Sequence, residues 1–163
     1  MHPGPGHHPT EEPLMRRLLC LVPVVLLSAC AAVSSGEEQP VRELASGSYS
    51  QQAEQRFEFV TTRADWAPLW DRTARGPIPE VDFSRESVVA VFMGQRPTGG
   101  HAIRVEQVVR EGPRLTVEVL LQAPGPDCMT TQALTQPYHM VAVPAGATRA
   151  EFVTREIAIP CGE

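Results

Sequence analysis

Residues 88–93 read Val-Val-Ala-Val-Phe-Met, a continuous apolar run of strand length. A run of this length without polar alternation predicts a central strand that is buried on both faces. The other predicted elements lie on either side of this run in the sequence, so the fold is expected to be built around it.

An antiparallel hairpin is predicted after the central strand. Residues 102–109 alternate between apolar and polar side chains, and residues 115–121 alternate again. A short turn that contains Gly and Pro joins the two runs, which is the pattern of a hairpin. In the first run, Ile103, Val105 and Val109 are expected to share one face.

One helix is predicted before the central strand. A strand at residues 55–60 comes first, and residues 62–65 then form a capping-box-like start of a helix. Asp65 is the preferred N-cap, because it leaves Pro68 in the first turn. Gly-Pro at residues 76–77 is expected to end the helix. Its apolar stripe is interpreted as core, with a ligand platform as the alternative; the members are Trp66, Leu69, Trp70 and Thr73.

Two later strands complete the predicted sheet, at residues 138–143 and 151–159, after a long loop at residues 122–136. About six strands, one early helix and no alternation of strands with helices predict an α+β fold that is mostly β. We expect a single small domain with an antiparallel sheet and one short N-terminal helix.

The N-terminal segment has the parts of an export signal. Residues 15–29 begin with Met-Arg-Arg, continue with an apolar run and end in small residues, which is typical of a lipoprotein signal peptide. The apolar run is shorter than the roughly 20 residues of a membrane span. Leu-Ser-Ala at residues 27–29 precedes Cys30 and resembles a lipobox, so lipidation (palmitate) is predicted at Cys30. Residues 1–14 are interpreted as a mis-annotated leader, with a genuine extension as the alternative.

The predicted lipid anchor would hold the chain in the cell envelope, with the lipid bilayer as one partner. Ala31 follows the lipidated residue where Asp is the usual retention signal for the inner membrane. The outer membrane or its periplasmic face is therefore favoured over the cytoplasm. Residues 30–50 are small and polar and are interpreted as a flexible tether, and residues 51–163 as the folded domain.

Charge excludes one class of partner. The 163-residue chain has a formal net charge of −5, contains no lysine and shows no basic stripe. Because nucleic-acid binding needs a basic patch that neutralises phosphates, nucleic acid is not an expected partner.

Two cysteines remain for the exported domain. Cys20 lies in the signal and Cys30 is the predicted lipid site, so Cys128 and Cys161 are left in a compartment that permits disulfides. We predict that these two are paired. A metal or redox pair is the alternative, and the lack of a CxxC motif disfavours it.

The candidate binding segment directly follows the central strand and reads Gly-Gln-Arg-Pro-Thr-Gly-Gly-His at residues 94–101. Adjacent glycines make a bare loop that another backbone can approach closely. Arg and Tyr are enriched among the residues that dominate interface energies. The predicted partner-binding residues are Arg96, Pro97, Thr98, Gly99, Gly100, His101 and Tyr138; an ordinary connector between strands is the alternative.

An ordered set of motifs resembles a known family. It starts with the Trp-rich helix at residues 65–70 and Val-Asp-Phe-Ser at residues 81–84. The apolar strand at 88–92, the Pro-Thr-Gly-Gly loop within 94–100 and Pro-Tyr-His-Met-Val-Ala-Val-Pro at 137–144 follow in that order. Together they resemble the C-terminal domain of the protease complex subunit family PrcB.

The resemblance spans residues 55–155 and implies a non-catalytic lipoprotein that associates with an exported protease or another cell-envelope protein. Its motif positions carried over to this chain are Asp82, Phe83, Pro97 to Gly100 and Pro137-Tyr138. A protease inhibitor that presents residues 95–101, and an uncharacterised hydrolase, are the alternative functions.

Catalysis is not expected. The exported part contains two histidines, His101 and His139, and no hydrolase motif surrounds either of them. Two scattered histidines are also too few for a structural zinc site. We therefore expect no enzymatic activity, no metal site and no cofactor.

Overall fold

The computed structural model describes residues 36–73 and 76–161. These residues contain eight strands and one helix, which confirms the predicted α+β, mostly β class. In chain order the elements are β1 (Glu37–Glu38), β2 (Arg42–Gly47), β3 (Arg56–Val60), α1 (Arg63–Asp71), β4 (Glu86–Phe92), β5 (Ala102–Glu111), β6 (Arg114–Pro124), β7 (Tyr138–Pro144) and β8 (Arg149–Ile159).

The strands form two four-stranded sheets. Sheet A has the order β1-β5-β6-β8 and sheet B the order β2-β7-β4-β3. The sheets pack face to face, and α1 covers the outer face of sheet B. Alternate residues of β4 therefore enter two different cores: Val89 and Val91 lie between the sheets, whereas Val88, Ala90 and Phe92 pack towards the helix.

The helix begins at the capping-box-like sequence, at the earlier of its two candidate caps. Its N-cap is Thr62, whose hydroxyl accepts a hydrogen bond from the backbone N–H of Asp65 at 3.2 Å, so the preference for Asp65 as the cap is wrong. Pro68 consequently lies inside the helix, which ends at Asp71, before the predicted stop at residues 76–77. Trp66 and Trp70 are buried, as the core interpretation of the stripe requires.

The predicted face of the hairpin is wrong at Val109. The register of β5 against β6 shifts between Val105 and Gln107, which marks a β-bulge. Because an extra residue moves every later side chain to the opposite face, Val108 rather than Val109 enters the core.

One strand pairing departs from the predicted antiparallel sheet. β6 continues to Pro124, three residues into the predicted loop, and pairs with β8 in parallel. The chain leaves β6, crosses to sheet B as β7 and returns to sheet A as β8. Because β7 runs opposite to β6, β8 then runs in the same direction as β6.

The predicted tether is wrong for residues 37–47. β1 pairs with β5 from Glu37 opposite Arg110, and β2 pairs with β7 from Arg42 to Gly47. The folded domain therefore includes residues before position 51. The predicted leader (1–14), the signal peptide (15–29) and Cys30 lie outside the described residues. Within the described ranges, no helix has the length and apolar character to span a membrane.

A buried histidine joins the two sheets. His139 lies on the core-facing side of β7, and its Nδ1 accepts a hydrogen bond from the backbone N–H of Val105 on β5 at 2.9 Å. Its Nε2 lies 3.4 Å from a carboxylate oxygen of Glu43. Burial lowers the pKa of His139, Glu43 opposes this effect, and Arg104 adds to it. The neutral ring with its proton on Nε2 fits both contacts.

We predict that the hydrogen bond accepted by His139 contributes to the free energy of unfolding. His139→Leu leaves the buried N–H of Val105 without a partner and should lower the free energy of unfolding by about 1–3 kcal/mol. His139→Asn places an amide oxygen near the position of Nδ1 and should recover part of that loss. Urea denaturation at pH 7.5 measures both, and equal losses would show that the hydrogen bond contributes nothing.

The same histidine should make stability depend on pH. Its pKa is lowered on folding, so the unfolded chain takes up this proton more readily, and the stabilisation is complete above the ordinary value of 6.5. Stability should therefore fall as pH decreases below about 6.5. His139→Asn should flatten this dependence relative to the wild type. A parallel pH profile for the two proteins would contradict the assignment to His139.

Candidate functional site

The domain has two opposite ends, and the candidate segment lies at one of them. We call the end that carries the candidate segment the loop end. It comprises residues 47–55, 93–101, 124–137 and 160–161. The hairpin end comprises the turn between β5 and β6 and residues 144–149, and the described chain also enters there, since Glu37 pairs with Arg110. The strand registers place every predicted partner-binding residue at the loop end.

The candidate segment starts with a close crossing of two chain segments. Gly94 has a φ of +77°, and a Cβ at this position would lie 2.8 Å from the backbone N of Gln55. The next residue, Gln95, donates its backbone N–H to the carbonyl of Ala53 at 2.9 Å. Only glycine fits both the conformation and the space at position 94.

Arg96 is held by the domain itself. Its backbone N–H and carbonyl pair with Thr135, and one guanidinium nitrogen donates to the carbonyl of Met93 at 2.9 Å. Its Nε is buried without a protein partner among the described residues. Only part of the guanidinium is therefore available to a partner, because one nitrogen is bonded to Met93 and Nε is shielded.

The adjacent glycines also pack inside the chain. Gly99 donates its N–H to the carbonyl of Thr131 at 2.9 Å, and a Cβ on Gly99 would meet the hydroxyl of Thr131. The carbonyl of Thr98 accepts from the hydroxyl of Thr135 at 2.9 Å. Gly100, with φ +83°, lies against Pro124. The backbone N–H of Gly99 is thus bonded within the chain and not offered to a partner, whereas Gly100 is exposed.

Tyr138 lies beside the segment, as the partner-binding hypothesis requires. Tyr138 and His101 line the same small cavity, of about 210 Å³. Burial raises the pKa of the Tyr138 hydroxyl. Burial and then the charge of Arg96 lower the pKa of His101, whose Nδ1 is enclosed without a partner in the described part of the chain. Pro97 is exposed.

The loop end also exposes large apolar side chains that the sequence interpretation missed. Met129 is fully exposed (100%), Tyr49 is 69% exposed and Leu134 is 60% exposed, and Ile159 at the end of β8 is 40% exposed. We call these four residues the apolar tip. Surface apolar residues concentrated in one region mark interaction sites more often than scattered ones do.

A disulfide fixes part of the apolar tip. Cys128 and Cys161 are joined, with their Cα atoms 5.3 Å apart, so the predicted pair is present. The bond ties the segment that carries Met129 to the residues after β8. A cavity of about 340 Å³ lies beside it, between Gly100, Met129 and Ile159.

A larger cavity lies elsewhere in the described part of the chain, at the hairpin end. It has a volume of about 440 Å³ and is lined in part by Arg42, Asp82 and Glu86. Arg42 and Glu86 form an ion pair at 2.7 Å, which raises the pKa of Arg42 and lowers that of Glu86. Asp82 accepts hydrogen bonds from Ser84, which lowers the pKa of Asp82. The carboxylates of Asp82 and Glu86 therefore already have partners within the chain.

Metal ligands do not converge in the part of the chain that the structure describes. No three His, Cys, Asp or Glu side chains are grouped there. His101 and His139 lie in different parts of the domain, since His139 is buried between the two sheets and His101 borders the loop end.

Residues 87–144 match the family model PrcB C-terminal. The match confirms the family resemblance, over a narrower range than residues 55–155. The PrcB segment runs from β4 through β7 and contains both loops that meet at the loop end. The PrcB family points to association with a protease complex. Searches of curated proteins and of solved structures returned no match.

The motif residues of PrcB type have structural roles here. Pro137 accepts a hydrogen bond from the backbone N–H of Met93 at 2.9 Å, which extends the β4–β7 pairing into the loop end. Asp82 forms a turn whose carbonyl accepts the backbone N–H groups of Arg85 and Glu86, directly before β4. Phe83 packs on the helix-side core.

We predict that Gly94 is more sensitive to substitution than Gly112. Both residues have a positive φ, and a Cβ on Gly112 meets nothing within 4 Å. Gly112→Ala should therefore cost about 1–2 kcal/mol, the penalty of the left-handed conformation alone. Gly94→Ala should cost more, because the backbone near Gln55 must also move. Thermal or urea denaturation compares them, and equal losses would mean that the crossing at Gly94 adds no constraint.

Proposed function

We propose that the chain is a lipid-anchored, non-catalytic binding module of the cell envelope that docks on an exported protease or protease complex through its loop end. The observation that carries the proposal is the apolar tip. Four of the six large apolar residues exposed in the described part of the chain are Tyr49, Met129, Leu134 and Ile159, all at this end. The PrcB match supplies the class of partner.

The construction of the loop end supports a binding role. Residues 96–99 are hydrogen-bonded to residues 131–135, and the disulfide holds Cys128 against the end of β8. A surface that is ordered before binding loses less conformational entropy when it forms a complex. In this proposal the Pro-Thr-Gly-Gly segment supports the apolar tip, and the tip makes the main contact.

The inhibitor alternative receives less support from the geometry. An inhibitory loop must offer an accessible backbone to the cleft of the protease. Here Thr98 and Gly99 use their backbone groups on Thr135 and Thr131. The hydrolase alternative would have to rely on His101, because His139 is buried and bonded to Val105.

The described chain enters the domain away from the proposed binding surface. Glu37 pairs with Arg110 at the hairpin end. The ten residues of β5 separate that end from the loop end by about 33 Å. The entry of the described chain therefore leaves the apolar tip free for a partner.

The first test removes the tip. Met129→Ser together with Leu134→Ser should weaken capture of the partner at least tenfold, since central apolar contacts dominate interface energies. Val41→Ser is the matched control, because Val41 is 44% exposed and lies at the hairpin end. Capture is measured by pull-down from detergent-solubilised membranes, with the protease identified by mass spectrometry. Equal capture by all three proteins, at unchanged melting temperature, would place the binding surface elsewhere.

The second test concerns the anchor. Cys30→Ser should release the protein from the membrane fraction or leave the signal uncleaved, whereas the wild type should carry acyl chains on an N-terminal Cys30. Mass spectrometry of the mature protein reads this directly. An unmodified Cys30 in the processed wild type would refute the anchor while leaving the protein-binding proposal intact.

A further inference from the structure

The open edge of sheet A is formed by β8, the longest exposed edge among the described strands. β8 pairs with β6 on one side over its full length, from Arg149 to Ile159. The other side has no hydrogen-bond partner in the described part of the chain. An edge of this length is a template for another strand, and proteins usually protect such edges.

The direction of the free backbone groups follows from one hydrogen bond. The carbonyl of Ile159 accepts a hydrogen bond from the backbone N–H of Gly125 at 2.8 Å, so the backbone N–H and C=O groups of residue 159 point towards β6. Successive residues of a strand point to opposite sides, and the β6–β8 register runs without a bulge. The free N–H and C=O groups therefore belong to the even-numbered residues Ala150, Phe152, Thr154, Glu156 and Ala158.

The side chains of β8 alternate between the two faces of sheet A. Ala150 and Phe152 pack on the core between the sheets. The odd-numbered residues consequently line the outer face of sheet A, where Val153 is 55% exposed. Glu151 and Arg155 lie two residues before and after Val153, and both side chains are 58% exposed.

We infer that two copies of this chain pair through β8, antiparallel and centred on Val153. In this register Val153 lies opposite Val153 of the second copy, and Glu151 lies opposite Arg155 on both sides of the two-fold axis. The free groups of Phe152 and Thr154 then face each other as hydrogen-bonded pairs, and so do those of Ala150 and Glu156. Apolar and opposite-charge pairs across antiparallel strands stabilise the pairing.

Neighbouring registers lack this complementarity. Only registers that keep even-numbered residues opposite one another can form the backbone bonds. Centres at Glu151 and at Arg155 place like charges opposite each other, and a centre at Phe152 places Arg149 opposite Arg155. A centre at Thr154 places Val153 opposite Arg155 and Glu151 opposite Ile157. The centre at Val153 joins each charge to its opposite.

The existing ion pairs of β8 are compatible with this arrangement. Glu151 lies 3.6 Å from Arg114, and Arg155 lies 2.6 Å from Glu106. In the dimer these become a row of alternating charges across the outer face: Arg114, Glu151, Arg155 of the second copy, and Glu106 of the second copy. Val153 at the centre of that row loses its exposure to water.

The inference is tested by disulfide trapping with the full-length chain in its own membrane. Directly opposite residues of a non-hydrogen-bonded pair have Cα atoms about 4.5 Å apart, which suits a disulfide. Val153→Cys should therefore give a covalent dimer on a non-reducing gel. Arg149→Cys is the matched control, because the two copies of residue 149 lie about 27 Å apart in this register. It should stay monomeric.

Charge reversal tests the register itself. In the Val153→Cys background, Glu151→Arg should reduce the trapped dimer several-fold, and adding Arg155→Glu should restore it. This restoration is informative because each reversed side chain then faces a like charge within its own copy: Glu151→Arg faces Arg114, and Arg155→Glu faces Glu106. Equal trapping of Val153→Cys and Arg149→Cys, or a Val153→Cys adduct with a different protein instead of the dimer, would overturn the inference. The readout does not depend on capture of a protease.

Discussion

The fold depends on the double burial of β4. Residues from Ser87 to Phe92 are buried, and their side chains enter alternate cores, with Val89 and Val91 on one side and Val88, Ala90 and Phe92 on the other. A strand of this kind must be covered on both faces, because each buried aliphatic side chain contributes about 1.5–3 kcal/mol relative to exposure. Sheet A covers one face and α1 the other, and the remaining elements are arranged around these contacts.

β7 shares this position and shows what the constraint demands of a polar residue. Val141 and Val143 face the space between the sheets, and His139, two residues before Val141, lies on the same face of β7. A polar ring at that depth needs a partner, and the backbone N–H of Val105 on the facing sheet provides it. The hydrogen bond therefore fixes one sheet relative to the other at a point where apolar packing alone has no directional preference.

The sequence predicts the elements whose pattern reflects local burial. The apolar run of β4, the alternation of β5 and β6 and the spacing of the two Trp residues all report which faces meet the core. β1 and β2 carry mostly small and charged residues, apart from Leu44, and form because β5 and β7 offer open edges. A pairing decided by a distant edge leaves no periodic signal. The bulge in β5 is equally invisible, although one inserted residue decides whether Val108 or Val109 is buried.

The candidate site shows the same division. Its position at the end of β4 is predictable from the order of motifs, and so is the disulfide from the count of cysteines. The proximity of Tyr138 depends on the pairing of β4 with β7, which the order of motifs does not fix. The role of the glycines is not, because the backbone that approaches Gly99 belongs to Thr131 of the same chain. The exposure of Met129 and Leu134 is also unpredictable, since an apolar residue in a long loop can as easily fill a core.

The two proposals use different parts of the domain and are compatible with each other. Antiparallel pairing of β8 would place the hairpin ends of the two copies in opposite directions. The two loop ends, each with its apolar tip, would then also lie at opposite ends of the dimer. Because β8 pairs along its edge and the tip lies beyond the ends of the strands, one copy would not cover the tip of the other. Each copy could therefore bind a protease through its own tip.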